Sequence, residues 1–116
     1  MITRIDHIDI KVEDLDATVA MLGKLGLKIL RRAPAPRSSV EMSLEGENQV
    51  VLEIHPVKAG GFTGVHHIAF RADPKDTLSL KAQGIKFKTE NKFIADTGRT
   101  VSSFSDANGL TWQLTD

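Results

Sequence analysis

The chain contains an internal repeat, and this repeat constrains the fold more than any other feature of the sequence. The stretch IDHIDIKV at residues 5–12 has a counterpart in GVHHIAFRA at residues 64–72, so that His7 and His67 stand 60 positions apart. The same offset relates Glu53, in VLEI, to Gln113, in TWQL. A unit this small cannot bury a sheet face by itself, so the two copies are expected to pack together.

Each copy of the repeat predicts the element order β-α-β-β-β. Residues 3–12 alternate between apolar and polar, as a half-buried strand does, and Leu15, Val19 and Leu22 recur at helical spacing. Asp14 is suited to cap this helix and Gly26 to end it. The remaining expected elements are strands at 27–30, 40–44, 49–55, 65–71, 85–88, 99–104 and 110–114 and a helix at 76–83.

The predicted fold class is therefore α+β, with two repeated β-α-β-β-β modules that form a curved mixed sheet with a metal or ligand cleft. We expect a single domain of residues 1–116, made of module 1–58 and module 64–116. This size matches one domain by the usual length of domains. A chain this short buries only a modest core, so a homodimer is also expected.

Four polar side chains at matching positions of the repeat are candidate metal ligands. His7, Glu53, His67 and Gln113 each alternate with bulky apolar neighbours on their own strands, so all four are expected to face the cleft. Imidazole nitrogen and carboxylate or amide oxygen are common donors to divalent metals. The alternative is an ancestral site that no longer binds metal. His55 shares the face of Glu53, and we expect it at the cleft rim or supporting a ligand rather than ligating.

Composition and charge exclude several classes of partner. The chain has 15 Lys+Arg and 15 Asp+Glu, whereas a nucleic-acid surface needs an excess of basic residues. It has no cysteine, which excludes disulfides and zinc ribbons. The first residues lack the apolar run that a signal peptide would show, and no apolar run approaches the roughly 18–20 residues needed to span a bilayer. We expect a cytoplasmic protein that acts on a small molecule and has no nucleic-acid or membrane partner.

The paired modules, the HIAF strand at residues 67–70 and the ending DANGLTWQL at residues 106–114 resemble the vicinal oxygen chelate superfamily. This superfamily includes glyoxalase I, methylmalonyl-CoA epimerase, extradiol dioxygenases, fosfomycin-resistance thiol transferases and bleomycin-resistance proteins. The resemblance implies one divalent metal ion, Zn, Ni, Co, Mn or Fe, held by His7, Glu53, His67 and Gln113. Gln113 departs from the family, which usually has Glu there. An amide can ligate through its oxygen but cannot accept a proton at neutral pH, so another base is needed.

Glu41 is the candidate base. The stretch GVHHIAF is close to the epimerase version of the motif, and methylmalonyl-CoA epimerase has a catalytic Glu on the third strand of its first module. Alternation with Val40 and Met42 directs Glu41 into the cleft, and the alternative is a surface glutamate on an edge strand. Arg31 and Arg37 flank a proline-rich loop, where they could bind a substrate carboxylate or phosphate or remain solvated.

The resemblance implies a metal-dependent lyase or isomerase of the glyoxalase or epimerase type. Such an enzyme acts on a small α-hydroxy or α-carbonyl substrate whose adjacent oxygens chelate the metal, and it proceeds through an enediolate. Two alternatives stay open: a non-catalytic protein that sequesters a ligand, like the bleomycin-resistance proteins, and a dioxygenase. Gln113 in place of Glu favours the sequestering protein, while the dioxygenases generally have no ligand at the position of Glu53.

Overall fold

The computed structural model describes all residues, Met1–Asp116, and its elements repeat in the predicted order. This confirms the α+β fold class. The chain divides into two compact units. The N-terminal unit is His7–His66, and the C-terminal unit is Met1–Asp6 together with His67–Asp116. The elements are β1 (Arg4–Val12), α1 (Leu15–Lys24), β2 (Lys28–Arg32), β3 (Val40–Ser43), β4 (Val51–Pro56), β5 (Gly64–Arg71), α2 (Asp76–Ala82), β6 (Phe87–Ile94), β7 (Arg99–Ser105) and β8 (Thr111–Thr115).

The N-terminal unit is a mixed sheet in the strand order β2-β3-β4-β1. Strand β1 runs parallel to β4, whereas β4 with β3 and β3 with β2 are antiparallel pairs. One face of this sheet carries the core residues Val40, Met42 and Ile54. Partly buried apolar side chains pack against this core. They come from the predicted apolar stripe of α1, from the strands and from the loop after α1: Val12, Leu15, Val19, Leu22, Leu27 and Leu52.

Helix α1 begins and ends at the residues that the sequence indicates. The Asp14 side chain accepts a hydrogen bond of 2.9 Å from the backbone N–H of Ala17, which satisfies a donor that the first turn leaves without a helical partner. Gly26 has φ 103°, a left-handed conformation that glycine adopts without steric cost. The N–H of Leu27 then turns back to the carbonyl of Leu22 at 3.1 Å and closes the helix. These contacts fix how the chain leaves α1 and enters β2.

The C-terminal unit has the strand order β5-β8-β7-β6, which mirrors the arrangement of the first unit. Strand β5 runs parallel to β8, and the other two pairs are antiparallel. The rings of Phe70 on β5 and Trp112 on β8 stack with centroids 6.0 Å apart, a diagonal contact, since Trp112 pairs with Ile68 in the register. The register repeats as well: β5 and β8 pair His67 with Thr111 and Ala69 with Gln113, while β1 and β4 pair His7 with Val51 and Asp9 with Glu53.

Strand β6 is longer than the sequence predicts, because it extends to Ile94 rather than ending at residue 88. Residues 88–92 are polar and show no alternation, so the strand pattern is not visible there. Two shifts of register against β7 break the period, and Asn91 has φ 46°. The backbone N–H of Asn91 donates to the Ser102 hydroxyl at 2.9 Å, which ties the irregular segment to β7. Neither helix of the structure has the length and apolar character of a membrane span.

Candidate functional site

Four charged residues lie side by side across the sheet of the N-terminal unit, one from each strand. Arg31 on β2 pairs with Glu41 on β3, Glu41 pairs with Glu53 on β4, and Glu53 pairs with Asp9 on β1. Residues directly opposite each other on neighbouring strands project from the same face of a sheet. The residues of this charged row, Arg31-Glu41-Glu53-Asp9, therefore lie on one face of the sheet. The apolar core residues of the same strands alternate with them along the chain and lie on the other face.

The three carboxylates of the charged row are deeply buried. Glu41 is 5% exposed, Glu53 4% and Asp9 1%. Burying a charge costs free energy unless partners compensate for the lost hydration, and each carboxylate has a cationic neighbour. Arg31 donates to Glu41 Oε2 from Nη2 at 2.9 Å and from Nε at 3.2 Å. Arg37 Nη1 lies 3.4 Å from Glu53 Oε1, and Lys11 Nζ lies 3.4 Å from Asp9 Oδ1.

Two histidines belong to the same face as the charged row. His55 Nε2 lies 2.7 Å from Asp9 Oδ2 and 2.6 Å from Glu53 Oε1. His7, which is 2% exposed, places Nε2 at 4.0 Å from Glu53 Oε2. Glu53 thus has an imidazole near each of its oxygens. The arrangement follows from two alternating pairs on adjacent parallel strands, His7 with Asp9 on β1 and Glu53 with His55 on β4.

These contacts shift the ionisation of two of the groups. Burial by itself would raise the pKa of Glu53, but the hydrogen bond with His55 and the charges of His7 and His55 outweigh it and lower the pKa below its ordinary value. Burial by itself would lower the pKa of His55, yet hydrogen bonds with Asp9 and Glu53 raise it above its ordinary value. Both pKa shifts favour the charged forms of Glu53 and His55, as is typical of an ion pair.

The donors in the N-terminal unit are chemically suited to a divalent metal. Asp9, Glu53 and His55 each offer one ligand atom, and these atoms lie within 4.8 Å of one another. His7 Nε2 and Glu53 Oε2, 4.0 Å apart, also fit one ion, because two donors at about 2.1 Å from a metal are at most about 4.2 Å apart. Nitrogen and oxygen donors of this kind suit Mn, Fe(II), Co, Ni or Zn.

The structure places the residues predicted from the sequence in two groups. His7, Glu53 and Glu41 share one face of the N-terminal unit, where Arg31 contacts Glu41 and Arg37 contacts Glu53. His67 and Gln113 occupy the repeat-related positions of β5 and β8 in the C-terminal unit.

The sequence interpretation does not include Asp9 among the candidate site residues, and it expects His55 at the cleft rim or in support of a ligand. Alternation already places Asp9 on the face of His7 and His55 on the face of Glu53. The additional signal was the register of β1 on β4, which sets Asp9 opposite Glu53.

The fold defines a class of protein with two β-α-β-β-β repeats, and comparisons with known proteins agree with it. The family model described as the glyoxalase/bleomycin resistance protein/dioxygenase superfamily matches residues 6–103. The chain belongs to this superfamily, as its motifs indicate. No curated protein matches the chain by sequence.

Several solved structures share the fold. A variant of Streptomyces coelicolor methylmalonyl-CoA epimerase in complex with 2-nitronate-propionyl-CoA superposes with a TM-score of 0.81 at 22% identity, covering 99% of this chain and 97% of that one. A methylmalonyl-CoA epimerase in complex with methylmalonyl-CoA and NH4+ gives 0.77 at 24% identity, covering 99% and 94%. Methylmalonyl-CoA epimerase from Mycobacterium tuberculosis gives 0.72 at 20% identity, covering 98% and 87%.

Proposed function

We propose that this protein is a metal-dependent isomerase or lyase that removes a carbon-bound proton from a small substrate with two adjacent oxygens. The observation that carries the proposal is the position of Glu41, a buried carboxylate directly opposite the metal-ligand candidate Glu53 on the neighbouring strand. A general base has to lie within reach of the substrate proton, and a metal ligand fixes where the substrate oxygens bind. Glu41 and Glu53 supply these two functions from adjacent strands.

Glu41 is the proposed base, and Arg31 is its positioning residue. The guanidinium contacts Glu41 Oε2 through two nitrogens, which holds the carboxylate in one orientation. Proton abstraction by Glu41 leaves the substrate as an enediolate or enolate, and return of the proton to the opposite face of that carbon, or to the neighbouring carbon, completes an isomerisation. This role replaces the substrate contact that the sequence suggested for Arg31. Arg37, beside Glu53, keeps the proposed role of binding a substrate carboxylate or phosphate.

The proposed metal ligands are His7 and Glu53 with His67 and Gln113, the set that the family resemblance implies. A divalent ion at this set would supply Lewis acidity toward the adjacent oxygens of the substrate. Gln113 contributes a neutral oxygen and no base, so proton transfer depends on Glu41. Because structural neighbours are methylmalonyl-CoA epimerases in complexes with CoA thioesters, an α-carboxy thioester is the first substrate to test.

Hydrogen–deuterium exchange tests the proposal. Metal-loaded protein is incubated with methylmalonyl-CoA, and separately with dihydroxyacetone, in D2O, and loss of the carbon-bound proton is followed by NMR. We expect exchange above the uncatalysed rate with at least one probe. Glu41→Gln should reduce that rate by about 100-fold or more, as expected for loss of a general base, with metal content and circular dichroism unchanged.

Glu45→Gln is the matched control, because Glu45 is exposed in the turn after β3. It should leave the exchange rate unchanged. Unaltered exchange in Glu41→Gln would exclude Glu41 as the base. Tight binding of a probe by the metal-loaded protein without any exchange would instead support the sequestering protein of the bleomycin-resistance type, which Gln113 in place of Glu also favours.

A further inference from the structure

Three arginines of the C-terminal unit surround one buried carboxylate. Asp6 on β1 is 6% exposed, and its Oδ2 accepts a hydrogen bond of 3.2 Å from Nε of Arg99, the first residue of β7. Its Oδ1 lies 3.7 Å from Nη1 of Arg71 at the end of β5 and 3.9 Å from Nη2 of Arg4 at the start of β1. Arg4, Arg71 and Arg99 are called the arginine cluster below.

The fold brings the arginine cluster together from distant parts of the sequence. Arg4 and Asp6 stand two positions apart on β1, so their side chains leave the strand on the same side. The backbone N–H of Thr3 donates to the carbonyl of Arg71 at 3.0 Å, which holds the start of β1 beside the end of β5. Arg99 follows Asp6 by 93 positions. All three guanidiniums thus come from strands, which position side chains more rigidly than loops do.

Asp6 alone does not satisfy the arginine cluster. Arg99 is hydrogen-bonded to Asp6 and offsets its single charge, whereas Arg4 and Arg71 form ion pairs with no other residue. Their contacts with Asp6 are longer than the roughly 2.8 Å of a charge-assisted hydrogen bond. Nη1 of Arg4 is buried and has no hydrogen-bond partner. An anion bound beside these two arginines would supply the acceptors and the charge that the chain itself does not.

We propose that the arginine cluster binds the phosphate group of a small ligand. The side chain of Arg71 is 49% exposed and that of Arg4 27%, so an anion can approach both from solvent. Because Arg4 and Arg71 contact the same oxygen of Asp6, their nearest nitrogens are at most about 7.6 Å apart. Two hydrogen bonds of about 2.8 Å, made to different oxygens of one phosphate, can span such a separation.

A phosphate matches the arginine cluster better than a carboxylate does. A phosphate monoester carries a charge of about −1.5 to −2 near pH 7, which balances the charges of Arg4 and Arg71, and it has three acceptor oxygens. The arginine cluster shares no residue with the proposed metal ligands or the proposed base, so the inference does not rest on the proposed function. Two sources supply this chemistry, a free phosphorylated ligand and the phosphates of a CoA thioester, and the experiment separates them.

Calorimetric titration with inorganic pyrophosphate tests the inference. The full chain is titrated at constant ionic strength in excess chelator, so that the probe cannot bind through a metal. We expect saturable binding at one site per chain, weakened by about 10-fold or more in Arg4→Gln and in Arg71→Gln, because each variant deletes a charge-assisted contact. Arg32→Gln is the matched control, because Arg32 is exposed on the edge strand β2 and its loss changes the net charge equally. It should bind pyrophosphate like the wild type.

Asp6→Asn should change the affinity in the opposite direction. The substitution keeps the size of the side chain and removes the charge that repels the anion, so pyrophosphate binding should tighten by about three-fold or more. Circular dichroism identifies a misfolded variant. Because Arg4→Gln and Arg71→Gln leave Asp6 paired with Arg99, they decide the question if Asp6→Asn does not fold.

The outcomes also identify the source of the phosphate. Wild-type protein that binds no pyrophosphate overturns the inference, and so do equal affinities in Arg4→Gln, Arg71→Gln and Arg32→Gln. Displacement of bound pyrophosphate by methylmalonyl-CoA, followed by 31P NMR, would assign the site to the phosphates of a CoA thioester. Retention of pyrophosphate would assign it to a separate phosphorylated ligand. Metal uptake and proton exchange do not enter these measurements, so failure of the inference and failure of the proposed function are distinguishable.

Discussion

Glu53 is the residue on which the site depends. It contacts His55, Arg37 and His7 within one buried cluster, and it is one of the proposed metal ligands. Repeat spacing identified it from the sequence, because Glu53 and Gln113 stand at the same offset as the two histidines. The pairing of Arg31 with Glu41, and of His55 with Asp9 and Glu53, could not be obtained in that way. Alternation specifies the face of each strand, whereas these contacts depend on register between strands that are distant in the chain.

Glu53→Ala should weaken Co2+ binding on the order of 100-fold, because the substitution removes an anionic ligand and leaves the ion with less compensating charge. Gln113→Ala deletes only a neutral oxygen and should have a much smaller effect. Calorimetric titration of both variants beside wild type measures the difference. Equal losses in the two variants would show that the carboxylate of Glu53 has no special role in binding.

At the scale of elements, the sequence determines most of what the structure shows. Apolar spacing, the cap at Asp14 and the glycine at position 26 locate α1 almost to the residue. Strand β6 is the exception, because its bulges remove the period-two alternation on which strand prediction depends.

The helix cap offers a test that is independent of the site. Asp14→Ala should lower the free energy of unfolding by about 1 kcal/mol, since the N–H of Ala17 loses its acceptor.

Urea denaturation measures this effect as a lower midpoint with an unchanged slope. Glu47→Ala is a suitable control, because Glu47 is exposed in the turn between β3 and β4. It should leave the midpoint unchanged. An equal loss of stability in both variants would mean that the cap contact contributes nothing specific to α1.

At the scale of the whole molecule, we predict a homodimer. Strand β2 is exposed along its length and lies at the end of its strand order, and Leu30 on it is 55% exposed. Strand β6 ends the other order, with Phe93 64% exposed. Unpaired strand edges and exposed apolar side chains of this kind are usually covered by a partner. Sedimentation equilibrium at micromolar concentration should give twice the mass of one chain, and a monomer that persists to high concentration would contradict the prediction.

Metal uptake by the wild-type protein is the most direct test of the site. The protein is stripped with a chelator, reloaded separately with Co2+, Mn2+, Zn2+ and Ni2+, freed of excess metal and submitted to elemental analysis. We predict one tightly held ion per chain for at least one of these metals, because Glu53 and its neighbouring imidazoles present converging buried donors. If none of the four metals is retained, Asp9, Glu53 and His55 form only an ion-paired cluster, and a metal-dependent reaction is contradicted.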